Sequence, residues 1–392
     1  MSKYLLCFDD LRTAARRSLP RPLFDYLDGA SNDGLTFDNN RRDLEAIRLA
    51  ARVLKLSRPV DLRAGLLGED YTMPVMLAPV GLAGSFHCRG EALAAEAAGA
   101  LGIPQCLSSF SVVPMEQVRA AAASSLLYQV YVLQDRAISE DILARAKACG
   151  IDTIVLTVDT PITATRRLDI RNGLRVATRP SAKMIASAIS RPRWLAQTCR
   201  NGMPSIANMA RYEGLAGNLF QQTPALGRAI KMDLSWEDVD WFRANWSGKL
   251  VLKGIQSAQD AVLAVRHGVD AITVSNHGGR QLDSAASTIS LLPGIRAAIG
   301  SDVPVIFDSG VRSGMDVVKA LALGADFVSV GRAWAFGLSA AGRPGIEQAI
   351  RIIERQMVET MHLMGCQDIV ELKQLGKAAL AKAPGHTSGY CA

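Results

Sequence analysis

The sequence predicts an α/β protein: a closed (β/α)8 barrel of the TIM-barrel class, with a helical N-terminal lead and a long insertion after its fourth strand. Three observations predict it. Eight short runs rich in Val, Ile and Leu recur along the 392 residues. Helical patterns with recognisable ends lie between them. The glycine fingerprint of a dinucleotide-binding open sheet is missing, as is a P-loop. Nearly unbroken apolar runs suit strands buried on both faces. Eight alternations of strand and helix argue for a closed barrel over a doubly wound sheet.

The elements follow in order. Residues 1–74 read as mainly helical, with Phe8–Leu19 and Pro22–Gly29 as helices. The eight strand runs are Val75–Val80, Pro104–Phe110, Leu126–Val132, Thr153–Asp159, Lys249–Ile255, Ala271–His277, Pro304–Gly310 and Phe327–Ala333. Arg89–Gly102 is a helix stopped by its glycine. Ser139–Gly150 opens on a serine cap, has acids in its first turn and ends in glycine. Ser257–Gly268 and Ser313–Gly324 repeat that design. Strands start 22 to 33 residues apart, except that 96 residues separate Thr153 from Lys249. Residues 161–229 are therefore an insertion, on the face where barrels carry their chemistry. The barrel occupies 75–160 and 230–366, a polar tail 367–392, and the whole chain 1–392 is one domain.

Composition narrows the class. Apolar residues make up 49% and charged residues 21%, which describes a globular chain. No apolar run reaches the roughly 18 residues of a membrane span. Met1–Asp10 carries two acids and no long apolar stretch, so a secretory signal is not expected. The seven cysteines include no C-x-x-C pair, and their number is odd. A disulfide framework or zinc site is disfavoured, and no metal is expected. The net charge of +7 points to anionic ligands or an anionic membrane surface.

The C-terminal ends of barrel strands hold the chemistry. The first ends Ala78-Pro79-Val80-Gly81. The second carries Ser108 and Ser109, the third Gln129 and Tyr131, the fourth Thr157 and Asp159, and the fifth Lys253. The sixth ends Ser275-Asn276-His277-Gly278-Gly279-Arg280, the seventh Asp308-Ser309-Gly310-Val311-Arg312, and the eighth Gly331-Arg332. Glycines beside Arg312 and Arg332 make a phosphate cradle; the bland alternative is tight turns with solvated arginines. His277 faces the barrel mouth, and Asp159 is placed to orient it and favour its protonated form. Arg280 can clamp a carboxylate. Lys253, if it points inward, needs an anionic or polar partner. His87, His267, His362 and His386 lack such context.

These residues resemble the FMN-dependent L-2-hydroxy-acid dehydrogenases and oxidases. The resemblance rests on Pro79-Val80-Gly81, Gln129-Val130-Tyr131, Leu156-Thr157-Val158-Asp159, Lys253-Gly254, Ser275-Asn276-His277-Gly278-Gly279-Arg280-Gln281-Leu282-Asp283, Asp308-Ser309-Gly310-Val311-Arg312 and Gly331-Arg332. It runs from Tyr26 to the helix after the last strand. It implies that Pro79, Val80 and Gly81 lie along the flavin, and that Ser108, Gln129 and Thr157 bond its ring or ribityl chain. Lys253 would stabilise negative charge on the reduced ring. Ser275, Asp308, Ser309, Gly310, Arg312, Gly331 and Arg332 would hold the ribityl and phosphate. Tyr26, Tyr131, Arg166 and Arg280 would bind the substrate. His277 would accept a proton, oriented by Asp159.

The pattern is most similar to L-lactate and (S)-mandelate dehydrogenases. Gly81 stands where many members have alanine, Phe110 where oxidase-like members have tryptophan, and Ala164 where many have glycine. Arg167 is placed to share the role of Arg166. The resemblance implies a homotetramer.

Residues 165–215 hold ten Lys or Arg against Asp169 and Glu213, interspersed with Met184, Ile185, Ile189, Trp194, Leu195 and Met203. Cations among interfacial apolar residues suit peripheral attachment to a membrane surface through 177–215. The enzyme would then lie on the cytoplasmic side of the inner membrane and pass electrons to a quinone. Its alternative is a lid on a soluble cytoplasmic oxidase that uses O2 and releases H2O2. An FMN-barrel isomerase fits the phosphate site but not the His277/Arg280 spacing. A non-enzymatic membrane-binding barrel has no use for His277, Lys253 and Arg280 at one mouth. Few aromatics and no binding fold argue against nucleic acid.

Overall fold

In the computed structural model, residues 5–55, 58–174 and 180–381 are described. A hairpin of β1 (Ala64–Leu66) and β2 (Glu69–Tyr71) precedes eight parallel strands. These are β3 (Val75–Leu77), β4 (Gln105–Ser108), β5 (Leu126–Tyr131), β6 (Thr153–Thr157), β7 (Lys249–Ile255), β8 (Ala271–Val274), β9 (Val305–Phe307) and β10 (Phe327–Val330). They close a barrel in sequence order, with β10 pairing β3. Each predicted run forms a strand, but most strands stop before their polar ends. At β8 the reason is local: His277, Gly278 and Gly279 all have positive φ, which no ladder accepts.

The barrel interior holds Met76, Cys106, Leu127, Val155, Val251, Ile306 and Phe327, and Leu66 and Tyr71 of the hairpin pack on that cluster. Tyr71 meets Phe327 edge-on at 5.6 Å. The hairpin thus plugs the N-terminal mouth. Reading 1–74 as mainly helical missed it, because strands of three residues carry no periodicity. Alternate strand residues such as Val75, Leu77, Ile154 and Leu156 face outward into the helix-lined core.

The lead is three helices, Phe8–Ser18, Arg21–Asp28 and Leu35–Ala46. Phe8 and Phe24 both pack on Phe336. The third helix, not named from sequence, reaches the opposite mouth. Asn40 and Asn276 exchange amide hydrogen bonds of 2.9 and 2.8 Å, and Arg41 pairs with Asp316 at 2.9 Å.

Two predicted boundaries change. Ser139 is not a cap: the helix runs Arg136–Ala148, and the Asp135 carboxylate accepts from the Ala137 N–H. An aspartate four residues earlier met the orphan amides first, and Ser139 is buried inside the helix. The tail is not simply polar chain. Helix Ile369–Leu375 buries Ile369 and Leu372, and Leu380 bridges Leu49. Residues 382–392 of that tail lie outside the described residues. Serine caps at 257 and 313 form as predicted.

The insertion folds as helices Arg167–Arg171, Ala182–Ile189, Pro192–Asn201 and Leu219–Ala229, ahead of the barrel helix Trp236–Asn245. The middle two bury no residue fully. They are tethered by Trp194, whose indole donates to the Ser85 carbonyl at 2.8 Å, and by Arg191, which donates to the Leu19 carbonyl at 3.1 Å.

Candidate active site

Strands β6 to β9 deliver a connected set of charges to the C-terminal mouth. Register pairs Thr157 with Lys253 and Lys253 with Thr273. The Lys253 ammonium donates to Ser275 Oγ at 2.8 Å and to Asp308 Oδ2 at 3.0 Å, and Ser275 Oγ donates to the same carboxylate at 2.6 Å. Burial works against the charge on Lys253, but Asp308 and then Asp159 outweigh it and raise its pKa. Burial likewise opposes the Asp308 carboxylate, and Lys253 overcomes it, so that pKa is lowered. The pair is charged at neutral pH.

His277 sits one loop away with left-handed backbone, and its N–H donates to Ser275 Oγ at 3.0 Å. Its Nδ1 lies 3.0 Å from Asp159 Oδ1. The Asp159 side chain is only 2% exposed against 26% for His277, so the carboxylate stands behind the ring and the ring meets the cavity. Gly254 makes that approach feasible: a Cβ there would sit 2.7 Å from Asp159 Cβ, at a φ of 114°.

Facing this set across β4 to β6 is a polar row. Ser108 Oγ donates to Gln129 Oε1 at 3.2 Å, and Gln129 Nε2 donates to Thr157 Oγ1 at 3.0 Å. Pro79, Val80 and Gly81 form the adjoining wall. A Cβ on Gly81 would lie 3.3 Å from Phe110 Cβ, so Gly81 and Phe110 fit as a pair. The Phe110 and Tyr131 rings lie 4.7 Å apart. Burial raises the Tyr131 pKa, which keeps the phenol a proton donor.

The third group is arginines. Arg280 donates to the carbonyls of Tyr26 and Gly29 at 2.7 and 2.9 Å and lies over the Tyr26 ring at 4.9 Å. Burial, then Arg166, pushes its pKa down to about 10. Arg332 donates to the carbonyls of Leu27, Gly278 and Gly29, and burial, then Arg280, pushes it down to about 9. Burial, then Arg41, also lowers Arg312, which lies over Phe8 and Phe37. Among the described residues none of these three has a carboxylate within ion-pair distance. All three remain cations at neutral pH.

One cavity gathers nearly every residue singled out from sequence. It is lined by Tyr26, Pro79, Val80, Gly81, Ser108, Gln129, Tyr131, Thr157, Arg166, Lys253, His277, Arg280, Asp308, Ser309, Gly310, Arg312, Gly331 and Arg332. Two of them stand behind its wall. Asp159 meets the cavity only by way of its contact with His277. Ser275 is fully buried and locks Lys253, Asp308 and the His277 backbone together. Ser309 lines the cavity while its hydroxyl accepts from the backbone N–H of Asn276 and Gly278. Arg166 and Arg167 separate. Arg166 lies over Tyr26 at 5.4 Å and pairs with Asp169 at 3.3 Å, whereas Arg167 turns outward to Asp33.

Sequence reasoning missed the contributions of the lead. Phe8, Phe37, Asn40 and Arg41 line the same cavity. Apart from an i,i+4 pair of Arg41 with Glu45, the partners that place them at the site lie more than 200 residues away, so no local spacing marks that role; the one trace is two polar residues, Asn40 and Arg41, on a helix that must bury a face. Gln281 lies within the Ser275–Asp283 motif. Its amide donates to the Asp159 and Ile162 carbonyls, tying the β6 and β8 loops together.

Comparison with known proteins agrees with this geometry. The profile of the family described as FMN-dependent dehydrogenase matches residues 15–378. An L-lactate dehydrogenase of Serratia proteamaculans (strain 568) is 41% identical over 364 residues, 93% of this chain and 96% of that protein. The crystal structure of the monotopic membrane protein (S)-mandelate dehydrogenase superposes with a TM-score of 0.92 at 33% identity, covering 97% of this chain and all of that one. A mandelate oxidase superposes with a TM-score of 0.81 at 33% identity, over 95% and 98% of the two chains. The chain belongs to the FMN-dependent dehydrogenase family, and its cofactor is FMN. The residues present fit that group. Arg312 and Arg332, cations without a carboxylate partner among the described residues, would hold the phosphate, the Ser108–Gln129–Thr157 row would offer hydrogen bonds to a polar ring, and Lys253 would supply a buried cation.

Proposed function

We propose that this FMN-dependent dehydrogenase oxidises an L-2-hydroxy acid, of the lactate or mandelate kind, to the 2-keto acid. The observation that carries the reading is the juxtaposition of an unpaired buried guanidinium, Arg280, with a carboxylate-backed imidazole, His277. Arg280, with Arg166 and the hydroxyls of Tyr26 and Tyr131, binds the substrate's carboxylate and hydroxyl. Desolvated guanidinium–carboxylate contacts fix the orientation of a small acid, and orientation alone is worth several kcal/mol. His277 Nδ1 is committed to Asp159, which leaves Nε2 to accept the proton lost in the oxidation. Asp159 holds the tautomer and steadies the imidazolium. Bound FMN supplies the two-electron acceptor. Pro79, Val80, Gly81, Ser108, Gln129, Thr157, Lys253 and Ser275 hold or brace its ring and chain, and Asp308, Ser309, Gly310, Arg312, Gly331 and Arg332 hold or brace its ribityl and phosphate.

The reading continues to the acceptor. A quinone at a membrane surface takes the electrons, and the insertion makes the contact. Ile185, Ile189 and Met203 are exposed on it among arginines, and no described helix is long and apolar enough to cross a membrane. The proposed contact segment, 177–215, includes residues 177–179, which lie outside the described residues. The family reading also expects a homotetramer. A soluble oxidase is the second reading, favoured by the likeness to a mandelate oxidase.

The test is anaerobic. The flavoprotein is mixed with L-lactate and then with (S)-mandelate, and the visible flavin absorbance is followed. Bleaching by either acid is expected; no bleaching across a panel of 2-hydroxy acids overturns the assignment. On admitting acceptors, colour returns faster with a quinone analogue than with air. Immediate return in air with peroxide makes the enzyme an oxidase. Flotation with anionic vesicles tests the membrane contact, and light scattering tests the tetramer.

A further inference from the structure

A second space opens from the same site. A cleft of 590 Å³ lies between the insertion and the barrel mouth. Its lining is largely apolar and includes Met184, Trp194, Leu195, Phe220 and Leu226. Tyr26, Phe110, Thr163, Arg166 and Ile230 line both this cleft and the polar cavity. The two are therefore adjacent chambers with a shared wall, and the shared wall is where the substrate's carboxylate is proposed to bind.

We infer that the cleft receives the substituent on the substrate's α-carbon, and that the enzyme prefers L-2-hydroxy acids with an extended apolar chain over lactate. This rests on the hydroxy-acid reading above. A 2-hydroxy acid has three polar or reacting groups, and the polar cavity accounts for each: carboxylate at Arg280, hydroxyl at His277, and the α-carbon toward the cofactor. Only the substituent is left without a place. A methyl group needs almost none of the cleft. An apolar chain fills it, and each buried methylene gains the transfer free energy that water denies it. The shared wall supports this: Phe110 and Ile230 are apolar and leave a carboxylate no second seat, while Arg166 and Tyr26 hold the head at the boundary.

Gly227 gives a clean handle. It lines the cleft on helix Leu219–Ala229, and a Cβ there meets only Thr163 Oγ1, at 3.8 Å. A side chain at 227 has room to form and projects toward the shared wall. It belongs to none of the groups assigned to catalysis or cofactor binding.

The experiment uses the holoenzyme. Flavin reduction is measured anaerobically with straight-chain L-2-hydroxy acids of increasing length. Specificity is expected to rise about three- to fourfold per methylene until the cleft is filled. Gly227→Leu is expected to lower the reduction efficiency of the longest acids about tenfold and to leave lactate within about twofold. Unreactive fatty acids give a second measurement, since their binding perturbs the flavin spectrum; their Kd is expected to fall with length in the wild type, whatever the variant does. A flat series in both measurements overturns the inference. So does a Gly227→Leu effect equal for all acids. If the variant leaves the acid series unchanged and raises the KM of a lipophilic quinone analogue, the cleft belongs to the acceptor and the inference fails. Bleaching by lactate with a flat series sinks only this inference; no bleaching by any acid sinks the reading on which it rests.

Discussion

The two ends of the active cavity treat charge in opposite ways. At the β7–β9 end every charge has its partner inside the chain: Lys253 with Asp308, and His277 with Asp159. There the carboxylate pKa of Asp308 is lowered and the lysine's raised, so the fold itself favours the charged pair. At the arginine end burial, and then neighbouring cations, push Arg280, Arg312 and Arg332 down. The first end is finished by folding. The second, on the proposed function, would be finished by anions: a phosphate on one side and a carboxylate on the other. Pre-paired groups can be ready for chemistry, while unpaired ones store the affinity for what must bind.

The sharpest way to break this contrast is at His277. His277→Gln is expected to slow flavin reduction by roughly 10³-fold while FMN stays bound, because a positioned base contributes on the order of 10²–10⁴. Stopped-flow reduction of the holoenzyme checks it, and loss of FMN instead would merge the two ends into one. Next is Asp308→Asn, which leaves Lys253 buried without a counter-charge. It is expected to destabilise the fold by about 3 kcal/mol in denaturant melts near neutral pH. The sign in pH follows from the lowered Asp308 pKa. The wild-type advantage is complete above the ordinary carboxylate range near pH 4. It disappears as pH falls through the lower native pKa.

At the open end Arg280→Lys keeps the charge and loses the fork. The expected effect is about 2 kcal/mol, seen as roughly a thirtyfold rise in substrate KM or fall in kcat/KM. Smallest and most telling is Arg332→Met. It is expected to weaken FMN binding about tenfold and yet raise the Tm of the FMN-free protein, since it removes a buried cation that bonds three carbonyls but has no counter-charge to offset the cost of burying it. Thermal melts with and without FMN read both signs. A fall in both would show that Arg332 is simply structural.

Much of this was legible in the chain. Eight apolar runs became eight strands because burial on both faces leaves an unbroken signature. Lys253 announced itself as a cation at the end of an apolar run, and the Ser275–Asp283 motif marked one loop almost completely. What stayed hidden depends on distance along the chain. Asn40 needs Asn276, and Arg41 needs Asp316, yet nothing near either residue records the pairing. The separation of Arg166 from Arg167 is set by one residue's rotation at the start of helix Arg167–Arg171, beyond what a pattern of types can hold. The β1–β2 plug escaped because six residues are too few for a period.

The lead that crosses the mouth also sets a timetable for synthesis. Its helices leave the ribosome before the barrel does, but Leu44 waits for Lys319, Phe8 and Phe24 for Phe336, and β3 for β10. Contacts spanning so much of the chain form last and slowly. Until residues near 336 have emerged, Phe8 and Phe24 have no aromatic ring to pack on from the barrel side. A nascent chain cut at residue 300 should therefore bind no FMN, and the cofactor should enter as the act that ends maturation, when the lead closes against the last barrel strands.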